Sequence, residues 1–144
     1  MAQNFDDLIQ VTDLLQERAL DKHRQNLAES RKLKEELAQI DAFRQAVQDD
    51  AGSLGARRLS GADTLWQTWL VRKRATILQH MAMARAKEAD SLAHARTAQA
   101  RFNAAERLDA EEKRKSREKR QLAQTETLEA LGRLRQAMAE DRGS

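Results

Sequence analysis

Residues 49–63 read DDAGSLGARRLSGAD, and they are the one place where helix-forming sequence is broken. Three of the chain's five glycines (Gly52, Gly55, Gly61) fall here, and the chain has no proline. A glycine in a helix interior costs about 1 kcal/mol against alanine. Three of them close together therefore end a helix, while nothing on either side does. The sequence predicts an all-α fold: two long helices, over 4–49 and 63–140, joined by a bend over 50–62 and paired as an antiparallel coiled-coil hairpin. The second helix is the longer and ends in a C-terminal overhang.

Composition agrees with this outline. The 144 residues make one domain's worth of chain, with aromatics at 3%, charged residues at 34% and a mean hydropathy of −0.81. The apolar fraction of 40% leans on alanine. A chain rich in Ala, Glu, Lys, Leu and Arg suits long helices better than a globular core. The helical spacing of its leucines argues against disorder. With no cysteine there is neither a disulfide framework nor a thiolate zinc site. No apolar run approaches the roughly 20 residues that span a bilayer, and the first ten residues, MAQNFDDLIQ, lack a signal-peptide pattern. The expectation is a cytoplasmic protein with no membrane insertion. A net charge of +3 permits an acidic partner without demanding nucleic acid.

In the first helix Asn4 is placed to cap the N-terminus, with Asp6 and Asp7 where the helix dipole favours acids. Its apolar stripe runs Leu8/Ile9, Leu15, Ala19/Leu20, Leu27, Leu33, Leu37, Ile40 and Val47, thin and drifting sideways around Leu27 to Leu33. Thr64 with Gln67 fits a capping box for the second helix, with Ser60 and Asp63 as alternatives. From there a 4-3 alternation steps through Leu70, Arg74, Ile77, Met81, Ala84, Glu88, Ser91, Ala95, Ala98, Phe102 and Ala105. Small residues fill its middle and let a partner helix approach closely.

Folding at the glycine stretch puts Leu33 opposite Ile77 and Leu78, Leu27 opposite Ala84, Leu20 opposite Ser91, and His23 near Lys87 and Glu88. Charge supports the pairing: residues 4–49 hold ten acids and seven bases, residues 62–105 three acids and seven bases. The first helix is used up near residue 108 of the second, and there the sequence turns charged. Lys113 to Arg120 carries six bases and one acid. Leucine spacing then resumes at Leu122, Leu128, Leu131, Leu134 and Met138. At 1.5 Å per residue the second helix is roughly 118 Å long against roughly 70 Å for the first, leaving about 30 residues unpaired.

Catalytic and metal signatures are missing. His23, His80 and His94 are spread along two helices, and no phosphate loop or HExxH sequence is present. The expectation is therefore no catalytic residue, no cofactor and no metal. Two surfaces remain. Trp66, Trp69, Lys73, Thr76, His80 and Met83 step by three and four along one side of the second helix; the two tryptophans lie across from Phe43 and Val47, and either close the bend end or anchor a partner. The second surface is the basic run with the amphipathic tail: Lys113, Arg114, Arg117, Leu122, Leu128, Leu131, Leu134 and Met138. Acids interleave the bases and no aromatic lies nearby, which disfavours nucleic acid. The tail's apolar face lacks Trp and Phe, which disfavours a membrane surface.

A shorter first helix, a Gly/Ser bend, a longer second helix and a charged overhang together resemble the FliJ family of flagellar type III export proteins and its YscO-like secretion counterparts. The best local matches are LWQTWLVRKRATILQH (Leu65 to His80) and RFNAAERLDAEEKRKSREKR (Arg101 to Arg120). The resemblance implies a non-enzymatic stalk, similar to the central shaft of rotary ATPases. Its partners would be a FliI-like export ATPase hexamer, an FlhA-like export gate and export chaperones, at the cytoplasmic face of the inner membrane. Trp69 and His80 stand where the family's gate-binding aromatic and histidine stand, whereas Lys73 and Thr76 differ in type. The free chain is expected to be a monomer. The alternatives are a generic dimeric coiled-coil scaffold, with the glycine stretch only an interruption, and a basic nucleic-acid-binding helix.

Overall fold

The computed structural model describes residues 4–49 and 62–143, and only the backbone of Ala62 and Asp63. All of the expected bend except Ala62 lies outside the described residues, as does Ser60. Among the described residues there are two helices and no strand: α1, Asp6–Asp49, and α2, Ala62–Arg142. The fold is an all-α helical hairpin. It divides into two compact units, Leu15–Ala98 and Met1–Leu14 with Gln99–Ser144.

The start of α1 is capped as its sequence suggests. Asn4 Oδ1 accepts the Asp6 amide at 3.0 Å, the Phe5 carbonyl accepts the Ile9 amide at 2.9 Å, and Asp6 and Asp7 occupy the first turn. The capping box expected at Thr64 and Gln67 is not the start of α2. The helix already runs from Ala62, and the Thr64 carbonyl accepts the Thr68 hydroxyl within it at 2.8 Å.

In the Leu15–Ala98 unit, α2 buries or half-buries the stripe read from its sequence, from Leu70 through Ala98. Ile77 and Ala84 are each 2% exposed. The facing stripe of α1 differs from the leucine pattern. Its covered positions are Gln16, Ala19, His23, Asn26, Ser30, Leu33, Leu37, Ile40, Arg44 and Val47, an unbroken 4-3 alternation. The expected sideways drift is not there: the seam keeps its phase by passing through polar residues. Leu15 and Leu27 instead lie on the flank, 46% and 40% exposed. Leu20, beside them, is half-buried.

Side chains bridge this seam at several levels. Asn26 Nδ2 donates to the Lys87 carbonyl at 3.2 Å, His23 Nδ1 lies 2.7 Å from Ser91 Oγ, and Arg74 Nε donates to Asp41 Oδ1 at 3.0 Å. The Ser91 hydroxyl also lies within hydrogen-bond distance of the Glu88 carbonyl, at 3.1 Å. These pairs correct the expected register by about one helical turn: His23 meets Ser91 rather than Glu88, and Asn26, not His23, meets Lys87. The aromatic contact at the other end is as expected, with Phe43 against Trp66.

In the second unit, Phe5, just before α1, and Ile9 and Thr12 of α1 are covered, and so are Phe102, Ala105, Asp109, Glu112 and Ser116 of α2. Thr12 turns its hydroxyl back to the Leu8 and Ile9 carbonyls, which hides its polar group in the seam. Leu8, expected in the stripe with Ile9, is 42% exposed. Coverage of α2 extends to Ser116, past the expected limit near residue 108, in keeping with the shifted register. From Arg117 to Gly143 every residue is exposed.

Candidate partner-binding surfaces

The first surface belongs to the Leu15–Ala98 unit and follows from the seam's phase. Trp69, Lys73, Thr76, His80 and Met83 each precede a seam residue (Leu70, Arg74, Ile77, Met81, Ala84) by one position. A one-residue step turns a helix by about 100°, so the five form an edge beside the seam, and all are exposed. Trp69 is 51% exposed and Met83 61%.

Trp66 joins this edge to the seam's closing cluster. It stacks on Trp69 with ring centroids 5.3 Å apart and an interplanar angle of 12°. It meets Phe43 edge-on at 5.3 Å and 71°. Beside it lies an open groove of about 180 Å³ lined by Arg44, Val47, Gln48, Trp66, Gln67, Leu70 and Val71. The two tryptophans differ in how far they are packed. Trp66 packs between two aromatics and helps close the hairpin, whereas Trp69 has one ring neighbour and presents its other face outward. Thr76 donates its hydroxyl to the Arg72 carbonyl at 3.0 Å, so its outward contribution is mainly its methyl group.

The second surface lies in the other unit. Lys113 Nζ pairs with Asp109 Oδ2 at 2.8 Å and Lys115 Nζ with Glu111 Oε1 at 3.6 Å, both four residues apart on α2. The hydrogen bond and charge of Asp109 raise the Lys113 pKa above its ordinary value, with a smaller contribution from Asp6 at the start of α1. Part of the basic run is thereby neutralised from within the helix. Arg114 and Arg117 are exposed. Leu122, Leu128, Leu131, Leu134 and Met138 are between 56% and 68% exposed. Five large apolar side chains thus stand exposed on residues 117–142 of α2, among the described residues an extended apolar surface.

The histidines are not brought together. His23 is tied to Ser91, His94 Nε2 lies 3.6 Å from Asp90 Oδ2 on its own helix, and His80 sits on the exposed edge. Among the described residues no three His, Cys, Asp or Glu side chains converge on a metal-sized site, and no helix is long and apolar enough to cross a membrane. What the leucine pattern missed is the polar side of the α1 seam, His23, Asn26 and Ser30, which faces the expected Ser91. Its signal was the 4-3 spacing continued through polar residues. A comparison with protein families, with curated proteins and with solved structures finds no match to this chain.

Proposed function

We propose that the protein is a non-enzymatic stalk of a bacterial type III protein export apparatus, coupling a FliI-like export ATPase ring to an FlhA-like export gate and promoting export. The observation that carries this reading is the asymmetry of the hairpin. α2 continues past the last covered residue, Ser116, as an exposed helix with a basic start and an apolar stripe. A lone amphipathic helix is marginal in water and gains by inserting into a partner. A ring of subunits with an apolar, acid-lined bore would supply both interactions that this segment lacks.

In this mechanism the tail, through Arg117, Leu122, Leu128, Leu131, Leu134 and Met138, seats in the ring and biases its ATP cycle. The edge of Trp69, Lys73, Thr76 and His80 meets the gate. Trp66 acts from behind, holding Trp69 by stacking. The protein itself makes and breaks no covalent bond. Export chaperones are the third class of partner, and the assembled protein sits at the cytoplasmic face of the inner membrane.

The test uses a purified hexameric export ATPase. The full chain should stimulate ATP hydrolysis. The chain lacking residues 122–144 should not, while its circular dichroism still reports a folded hairpin. Stimulation that survives the truncation would remove the tail from the mechanism, and no stimulation by the full chain would remove the export reading.

A further inference from the structure

The seam of α2 does not stop at Ser116; it loses its partner there. The covered positions Ala105, Asp109, Glu112 and Ser116 step by 4, 3 and 4. Continued with one extra four, from Ser116 to Arg120, the line runs through Arg120, Ala123, Thr127, Ala130, Leu134 and Ala137, with Leu131 and Met138 along one flank. A line of alternating fours and threes keeps one face toward a partner when two helices wrap gently around each other. Ala123, Ala130, Leu134 and Ala137 thus continue the packing face that α1 covers farther up.

What fits over that continuation is written in the charges beside it. Lys119, Glu126, Arg133 and Glu140 fall seven residues apart, on the flank of that line opposite Leu131 and Met138, with alternating sign. Among the described residues none of the four forms an ion pair within its own chain. Turned end for end about Ala130, the same line is its own complement: Lys119 comes level with Glu140 and Glu126 with Arg133. The inner positions agree with this register to within about one residue, Ala123 with Ala137 and Ala130 with itself, with Thr127 beside Leu134. Alanines at the contact let the backbones approach, and the leucines cover the edges. In a parallel pair, where each flank faces the opposite flank of its partner, the charged line would lie against Gln124, Leu131 and Met138 and form no ion pair.

We infer that the exposed tail is a self-association surface, and that its occupant in the free protein is the tail of a second copy, packed antiparallel about Ala130. This does not rest on the export reading; it follows from the spacing and the charges alone. A hairpin dimer joined through its tails would keep Leu131, Leu134 and Met138 covered until a better partner displaces it. The interaction is modest, since the stripe is short and exposed ion pairs contribute little each.

The chain has no cysteine, so single introduced thiols give an unambiguous readout. The full chain should show a mass in sedimentation equilibrium that rises toward the dimer with concentration, and deletion of residues 122–144 should leave a folded monomer. Ala130→Cys should cross-link to its twin. Ala123→Cys should not, because antiparallel packing sets its twin about 21 Å away at 1.5 Å per residue, yet Ala123→Cys with Ala137→Cys should. Glu126→Arg should weaken the dimer about tenfold by placing like charges level twice over, and adding Arg133→Glu should restore it. A monomer at every concentration overturns the inference and leaves the stripe to a different partner. Cross-linking at every single position overturns it in favour of a parallel pair, and a dimer that survives the truncation overturns it in favour of another face. None of these outcomes depends on an ATPase.

Discussion

Replacing Asn26 with leucine should stabilise the hairpin, and the reason is specific to where the seam runs. Asn26 is 7% exposed, and its amide donates to the Lys87 carbonyl at 3.2 Å. Leucine has the same branched outline, so the change requires little repacking. It forfeits a net hydrogen bond of about 1 kcal/mol. The Lys87 carbonyl is not orphaned, because it lies inside α2 and keeps its helical partner. Against that loss, burying a leucine side chain contributes about 2 kcal/mol. The balance is a gain of about 1 kcal/mol, or about 3 °C in the thermal midpoint for a chain of this size. The companion change is Leu27→Asn, one position along. Leu27 is 40% exposed on the flank, so polar replacement should cost at most about 1 kcal/mol. Thermal and denaturant unfolding followed by circular dichroism measures both. If Asn26→Leu lowers the midpoint while Leu27→Asn costs about 3 kcal/mol, then Leu27 and not Asn26 is in the seam, and the register argued above is wrong.

Ile77→Ala should destabilise by about 2 to 3 kcal/mol, because it removes three carbons from a side chain only 2% exposed; Val71→Ala, at 57% exposure on the same helix, should stay within about 0.5 kcal/mol in the same denaturant titration. Trp66→Ala should cost more than Trp69→Ala, since Trp66 holds two ring contacts and Trp69 one; each aromatic pair is worth about 1 kcal/mol. Tryptophan fluorescence provides the second readout: without Trp66, the emission of Trp69 should shift to longer wavelength as its stacked face meets water.

The stripe of α2 was legible residue by residue. Every position from Leu70 to Ala105 predicted by the 4-3 alternation is covered. That helix could be read because its spacing is strict even where the residue is Arg74, Glu88 or Ser91. α1 has the same strict spacing, yet a search for leucines follows Leu8, Leu15 and Leu27 off the seam and passes over Thr12, His23, Asn26 and Ser30. Hydrophobicity misleads there because of what α2 presents. Opposite this stretch stand Ala84, Ser91 and Ala95, which hold the two backbones close. Close backbones leave little depth, so short side chains that can return a hydrogen bond fit inside, and a leucine covers the gap from the flank. The expected register was set by the fold point alone, and it fell about one turn short, which ended the expected coverage of α2 too early. The tail's stripe and basic run were visible in the sequence and are exposed as expected.

The polar stretch of the Leu15–Ala98 seam also bears on how one pairing is selected from several. A seam of alanines and leucines repeating every seven residues looks much the same after a slip of seven, and the energy lost in such a slip is small. A slip of seven would take Asn26, His23 and Arg74 off the Lys87 carbonyl, Ser91 and Asp41 together. Asn26 would find another carbonyl, since α2 presents one at every residue. His23 and Arg74 would not find another Ser91 or Asp41. His23 would come level with Ala84 or Ala98, and Arg74 with Lys34 or Gln48 in place of its acid. Two specific side-chain pairs, one in the seam and one at its edge, therefore distinguish the native register from its nearest competitors where hydrophobic burial does not. The bend-end cluster of Phe43, Trp66 and Trp69 acts in the same direction, because large rings tolerate no sliding past one another. For a hairpin whose apolar seam is only one residue deep, stability and uniqueness come from different residues: Leu33, Leu70 and Ile77 supply the first, and His23, Ser91, Asp41 and Arg74 the second.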